Sequence, residues 1–73
     1  MKFVPERLEL TAGETVTWIN ADLVPHTVTA ANAGLESGTI APGARWTFVV
    51  KNPGELAYLC RFHPAMRGEL IVR

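Results

Sequence analysis

At 73 residues the chain is one domain at most, and a domain of that size buries only about 60–65% of the surface its unfolded chain exposes, so its margin of stability is thin. Seven Lys and Arg balance seven Asp and Glu, and no window gathers the basic footprint that nucleic acid or an anionic membrane requires. With 48% apolar and 19% charged residues the chain suits a packed globule rather than a disordered segment, and no apolar run approaches the roughly 20 residues of a membrane span.

Taken in chain order, the elements read as strands. Arg7 to Thr11 alternates, with Leu8 and Leu10 on one face, and Ala12-Gly13-Glu14 supplies a turn into the β-branched and aromatic run Thr15 to Asn20. His26 to Ala31 is a third candidate strand; Asn32-Ala33-Gly34 and the softer Leu35-Glu36-Ser37-Gly38 read as loop. Pro42-Gly43 turns the chain into a strand over 46–50, and Asn52-Pro53-Gly54 into another over 56–60. Glu69 to Val72 closes the chain. All five prolines fall between or beside these segments, where a missing N–H does no harm. About six short strands punctuated by Gly and Pro predict an all-β domain over residues 1–73, a small sandwich or barrel, with Trp18, Trp46, Phe48 and Tyr58 on the inner faces.

Chemistry-bearing residues concentrate in Cys60-Arg61-Phe62-His63-Pro64-Ala65-Met66. Three soft or borderline donors sit three apart, starting at the end of an apolar strand and continuing through a loop that Pro64 keeps out of helix. A thiolate, two imidazoles and a weakly held thioether suit copper in both oxidation states. The second imidazole has one source, His26, because the chain holds two histidines in all.

Each residue also has a plainer reading. A lone cysteine ending a strand is ordinarily a small buried hydrophobe, and a methionine ordinarily fills core. His63 beside Pro64 could be a loop histidine, and His26 beside Pro25 a surface one. The single cysteine excludes an internal disulfide. Structural zinc prefers four Cys and His ligands and takes methionine poorly. A Cys–His nucleophile pair would need a substrate cleft and a third orienting group, and a chain this small offers no obvious cleft. The chain's one cysteine, both histidines and its internal methionine all fit a single metal site.

At this point the sequence resembles the cupredoxins, and within them the amicyanin and plastocyanin group. The matching stretches are Gly13 to Asn20, Val24-Pro25-His26-Thr27-Val28, Pro42-Gly43, Pro53-Gly54 and Tyr58 to Gly68, in order over nearly the whole chain. The resemblance implies a Greek-key β-sandwich and a blue copper protein, not an enzyme, that passes single electrons by cycling Cu(II)/Cu(I). By it His26, Cys60 and His63 are the equatorial ligands, Met66 is the axial one, and the ring edge of His63 is the electron port. An apolar rim of Val24, Pro25, Phe62, Pro64 and Ala65 would meet a redox partner such as a cytochrome or redox enzyme, in the periplasm or elsewhere outside the cytoplasm; this chain itself shows no signal-peptide pattern. The same ligands would also serve a copper-holding module or an engineered minimal scaffold without a natural redox partner.

Two departures stand out. The family commonly carries Asn after the upstream histidine, where it ties the two ligand segments together, and this chain has Thr27. A hydroxyl can take over part of that role. The family also has a further strand before the segment corresponding to Met1-Lys2-Phe3. The expectation is that Lys2 to Pro5 and the strand after it shift to fill the gap, giving six or seven strands, or that a second copy covers the exposed sheet in a homo-oligomer.

Overall fold

The computed structural model describes residues 1–73. It contains seven strands: β1 (Arg7–Leu10), β2 (Thr15–Ile19), β3 (Thr29–Ala30), β4 (Leu35–Glu36), β5 (Arg45–Val49), β6 (Gly54–Cys60) and β7 (His63–Val72), with a short 3-10 turn over Ala31–Ala33. They form a five-stranded sheet in the order β1-β7-β6-β3-β4 and a two-stranded sheet of β2 and β5. Only the β1–β7 pairing is parallel. The two sheets close over one apolar core, as the strand pattern predicts for a β-sandwich.

Period-two alternation decides what faces inward. Along β6 and β7 the buried side chains are Tyr58, Cys60, Met66, Leu70 and Val72, together with Gly68; the alternate positions Ala57 and Arg67 are exposed, Leu59 and Glu69 are half-buried, and Ile71 breaks the alternation by being buried as well. Val16 and Trp18 from β2 and Trp46 and Phe48 from β5 cover the core from the other sheet. Of the four aromatics expected inside, Tyr58 is buried, while Trp18, Trp46 and Phe48 lie half-buried against the core. They form a contact chain, Phe3–Tyr58–Trp18–Trp46–Phe48, with successive ring centroids 4.8, 5.5, 5.5 and 5.8 Å apart.

Turn chemistry sets the ends of the two-stranded sheet. At Ala41-Pro42-Gly43-Ala44 the Ala44 N–H donates to the Ala41 carbonyl at 2.9 Å, and Gly43 has φ 80°. Proline second and a left-handed glycine third are the requirements of a type II turn. Thr11 to Glu14 closes in the same way, with Gly13 at φ 100° and a 3.1 Å bond from the Glu14 N–H to the Thr11 carbonyl.

Three sequence readings are corrected. The third strand, expected over His26 to Ala31, shrinks to Thr29–Ala30, because the Thr27 N–H turns inward to a side chain instead of joining a ladder. His26 is held to Ile40 by an isolated antiparallel bridge. The stretch read as loop contains β4, whose Leu35 is fully buried. The last strand starts at His63, not near Glu69, so His63, Pro64 and Met66 lie within β7 rather than in a free loop. The β6–β7 register nevertheless jumps from Leu59↔Arg67 to Cys60↔His63, and Pro64, Ala65 and Met66 bulge out of the ladder without partners on β6. Proline is harmless there because no ladder bond is asked of it.

At the N-terminus, Phe3 is buried and its ring meets Tyr58 edge-on. The Lys2 to Pro5 segment thus contributes to the core, although it is not a strand.

Gly68 pairs with Tyr58 and lies under its ring. A Cβ built there would lie 2.3–2.6 Å from the ring and hydroxyl of Tyr58, and that ring is itself fixed between Phe3 and Trp18. Gly68→Ala is therefore expected to lower stability by about 1–3 kcal/mol through overpacking, read as a fall in the urea midpoint at unchanged m-value.

Candidate metal centre

The loop that delivers His26 is folded around one buried amide. Asn20 is 6% exposed; its Nδ2 donates to the carbonyls of Val24 and Ile40, both at 2.9 Å, and its Oδ1 accepts the Asp22 N–H at 2.9 Å. A buried amide with its donors and acceptor all used fixes the path of residues 20–25. His26 then exchanges backbone bonds with Ile40 at 3.1 and 2.7 Å. Its imidazole, in a residue 5% exposed, is contacted at both nitrogens: Nδ1 is 3.6 Å from Cys60 Sγ and Nε2 is 2.6 Å from Asp22 Oδ2.

Cys60 ends β6 with no exposed surface. Its sulfur accepts the Thr27 N–H at 3.4 Å, and the backbone amides of His63 and Phe62 add to the favourable field around it. Burial pushes the thiol pKa up, but the Thr27 donor, the His26 ring and those two amides outweigh it and hold the pKa below the ordinary thiol value. For His26, burial opposes the charged ring, while Cys60 and Asp22 oppose burial and prevail, so its pKa lies above the usual imidazole value.

Thr27 joins the two segments. Besides its N–H bond to sulfur, its hydroxyl accepts the Arg61 N–H at 2.9 Å across 34 residues of sequence and meets the Thr29 hydroxyl at 3.0 Å. This is the tie expected of a hydroxyl standing in for an amide at that position.

Of the four sequence-predicted residues, His26 and Cys60 meet directly. His63 is half-buried at the start of β7, its ring centroid 5.6 Å from that of His26 at 62°. Met66, 5% exposed, sits in the three-residue bulge and lines, together with His26, a cleft of about 370 Å³ between the N-terminal segment, β2 and the residue 20–26 loop. No three His, Cys, Asp or Glu side chains gather in metal-holding geometry. A cleft thus exists where the chain's size argued against one, but Cys60 and His63 do not line it; it gives no support to a Cys–His nucleophile pair.

Sequence reasoning missed Asp22, Asn20 and Leu23. The available signal was Asn20-Ala21-Asp22 four residues before His26, since Asn two residues before an N–H donor favours a side-chain-closed turn. Leu23, 95% exposed, reads as an ordinary apolar residue until the loop carrying it is seen to project.

Thr27→Val removes the hydroxyl while keeping the shape of the side chain and leaves the Arg61 N–H without its acceptor. The expected cost is about 1–3 kcal/mol, with Thr27→Ser close to wild type, measured by chemical denaturation of the metal-free protein.

Residues 1–72 match a family model described as a cupredoxin-like domain. Amicyanin-alpha of Methylorubrum extorquens is 36% identical over 77 residues, covering 99% of this chain and 65% of that protein. Amicyanin of Paracoccus denitrificans is 31% identical, covering 99% and 59%. The chain therefore spans less than two thirds of the length of these curated relatives. Among solved structures, a Cu(I) amicyanin variant superposes with TM-score 0.92 at 31% identity, covering all of this chain and 74% of that one. A purple cupredoxin from Nitrosopumilus maritimus gives 0.86 at 33%, covering 99% and 82%.

Proposed function

The chain belongs to the cupredoxin family, and from that kinship we propose that it holds one copper ion through His26, Cys60, His63 and Met66 and carries single electrons between redox proteins outside the cytoplasm. The observation that carries this reading is the 3.6 Å separation of His26 Nδ1 and Cys60 Sγ. Nitrogen about 2.0–2.1 Å and sulfur about 2.3 Å from a shared tetrahedral metal lie about 3.5–3.6 Å apart. The donor set agrees, since thiolate, imidazole and a weak thioether select copper over zinc.

When bound, copper supplies a one-electron couple; the chain's own residues do the rest. The Thr27 N–H bond to sulfur helps to hold the Cys60 thiol pKa below its ordinary value, and the Ile40 bridge and Asn20 loop keep His26 from turning away. A site held this firmly by protein bonds limits the rearrangement that accompanies a change of charge. Met66 would complete the donor set beside His26, Cys60 and His63, so the residues would all be spent on holding the ion, which supports a carrier over an enzyme.

Docking is proposed at the surface around His63. Val24, Pro25, Phe62, Pro64 and Ala65 are all exposed, and Leu23 enlarges the patch. With net charge zero, long-range steering is weak and apolar contact decides association with a cytochrome or redox enzyme.

Stoichiometric Cu(II) is expected to give an intense visible thiolate-to-copper band that Cys60→Ser abolishes while the variant stays folded. A wild-type protein with no such band, or a variant that keeps it, would overturn the assignment. A blue protein that exchanges no electrons with any carrier would instead be a copper-holding module. Phe62→Asp is expected to leave the spectrum nearly intact and slow electron exchange with a c-type cytochrome several-fold, measured by stopped flow.

A further inference from the structure

Asp22 has no role in the ligand set, yet its carboxylate oxygen makes a 2.6 Å contact with His26 Nε2, the nitrogen opposite the one that faces sulfur. The contact does not come from a chance rotamer. Asp22 sits in a turn closed by its own N–H bonding to Asn20 Oδ1, and that amide is anchored in turn to Val24 and Ile40. The loop is thus built to return to the ring four residues later. The side chain of Asp22 is 46% exposed, and the ring it touches is 6% exposed, so one end of the contact is solvated and the other enclosed.

An ionised carboxylate only accepts hydrogen bonds, and a neutral imidazole carries one N–H and one lone pair. In a neutral ring the proton therefore belongs on Nε2, and Nδ1, 3.6 Å from Cys60 Sγ, keeps its lone pair and faces the S–H of the metal-free cysteine. Without the carboxylate, the buried ring would have no partner at Nε2, and the competing tautomer, with Nδ1–H directed at sulfur, would occlude a metal. We propose that Asp22, held by Asn20, is a positioning residue for His26: it selects the tautomer that offers Nδ1 to the metal and supplies negative charge behind the ring. The proposal rests on reading His26 as a ligand. A carboxylate behind a ligating imidazole raises its basicity as a donor, and the added negative charge favours Cu(II) over Cu(I).

The test has two arms. In metal-free protein at a pH where the ring is neutral, long-range proton–nitrogen correlation spectra are expected to show His26 as the Nε2–H tautomer in wild type and a mixture in Asp22→Ala. Asp22→Asn, whose amide oxygen can still accept the N–H, is expected to restore the tautomer. With Cu(II) added, Asp22→Ala is expected to lose about 10–100-fold in affinity and to raise the reduction potential; Asp22→Asn should also raise it, because the charge is gone. Because the Asp22 N–H makes the turn, both variants keep it. A fixed Nε2–H tautomer in Asp22→Ala, or an Nδ1–H ring in wild type, would overturn the proposal. A wild-type protein that binds no copper would defeat the reading of the metal site, while the metal-free spectra would still decide whether Asp22 positions the ring.

Discussion

Thr27 makes two bonds to the segment 33 and 34 residues further on: its N–H to the Cys60 sulfur and its hydroxyl to the Arg61 N–H. These cross-links connect a histidine-bearing strand entry to the cysteine-bearing hairpin turn. Neither segment alone has a regular ladder at that point, since His26 is bridged singly to Ile40 and the β6–β7 register breaks at Cys60. The threonine thus substitutes side-chain and sulfur bonds for the backbone pairing that both segments lack. Every buried side-chain nitrogen and oxygen in the chain has a partner, and a fully satisfied polar network of this kind fixes one arrangement.

Beneath that network lies the apolar frame. Leu35, Leu70, Val28, Val50 and Cys60 are its most enclosed side chains, and they are spread from position 28 to position 70 of the sequence. Tyr58 connects frame and hairpin: its ring lies over Gly68, and its aromatic neighbours come from the N-terminal segment and β2. The small domain compensates for its limited core by having a few large rings each serve several elements.

The alternating strands were legible because their burial has period two, as in Thr15 to Ile19 and Arg45 to Val49. The ligand candidates were legible because soft donors are scarce in the chain and share a short spacing. Less could be read where local sequence does not determine the partner. Leu35-Glu36 lacks a strand's length or alternation and is strand only because Thr29-Ala30 pairs with it. His63 to Met66 looks like loop because Pro64 suggests one, whereas β7 begins there and accommodates the proline in a bulge. Asp22 could not be assigned to His26 without knowing that Asn20 folds the intervening residues back on themselves.

The register jump between β6 and β7 separates two kinds of constraint. From Arg67 onward the ladder runs continuously against Leu59 and the residues before it, and those positions answer to the core. Pro64, Ala65 and Met66 answer to no cross-strand partner. A change in the bulge alters what faces the cleft beside His26 without removing any cross-strand bond, though at Met66 it also alters core packing. Met66 is thus placed by core packing and not by cross-strand bonds, so the proposed ligand sits where the sheet's hydrogen bonding imposes nothing on it.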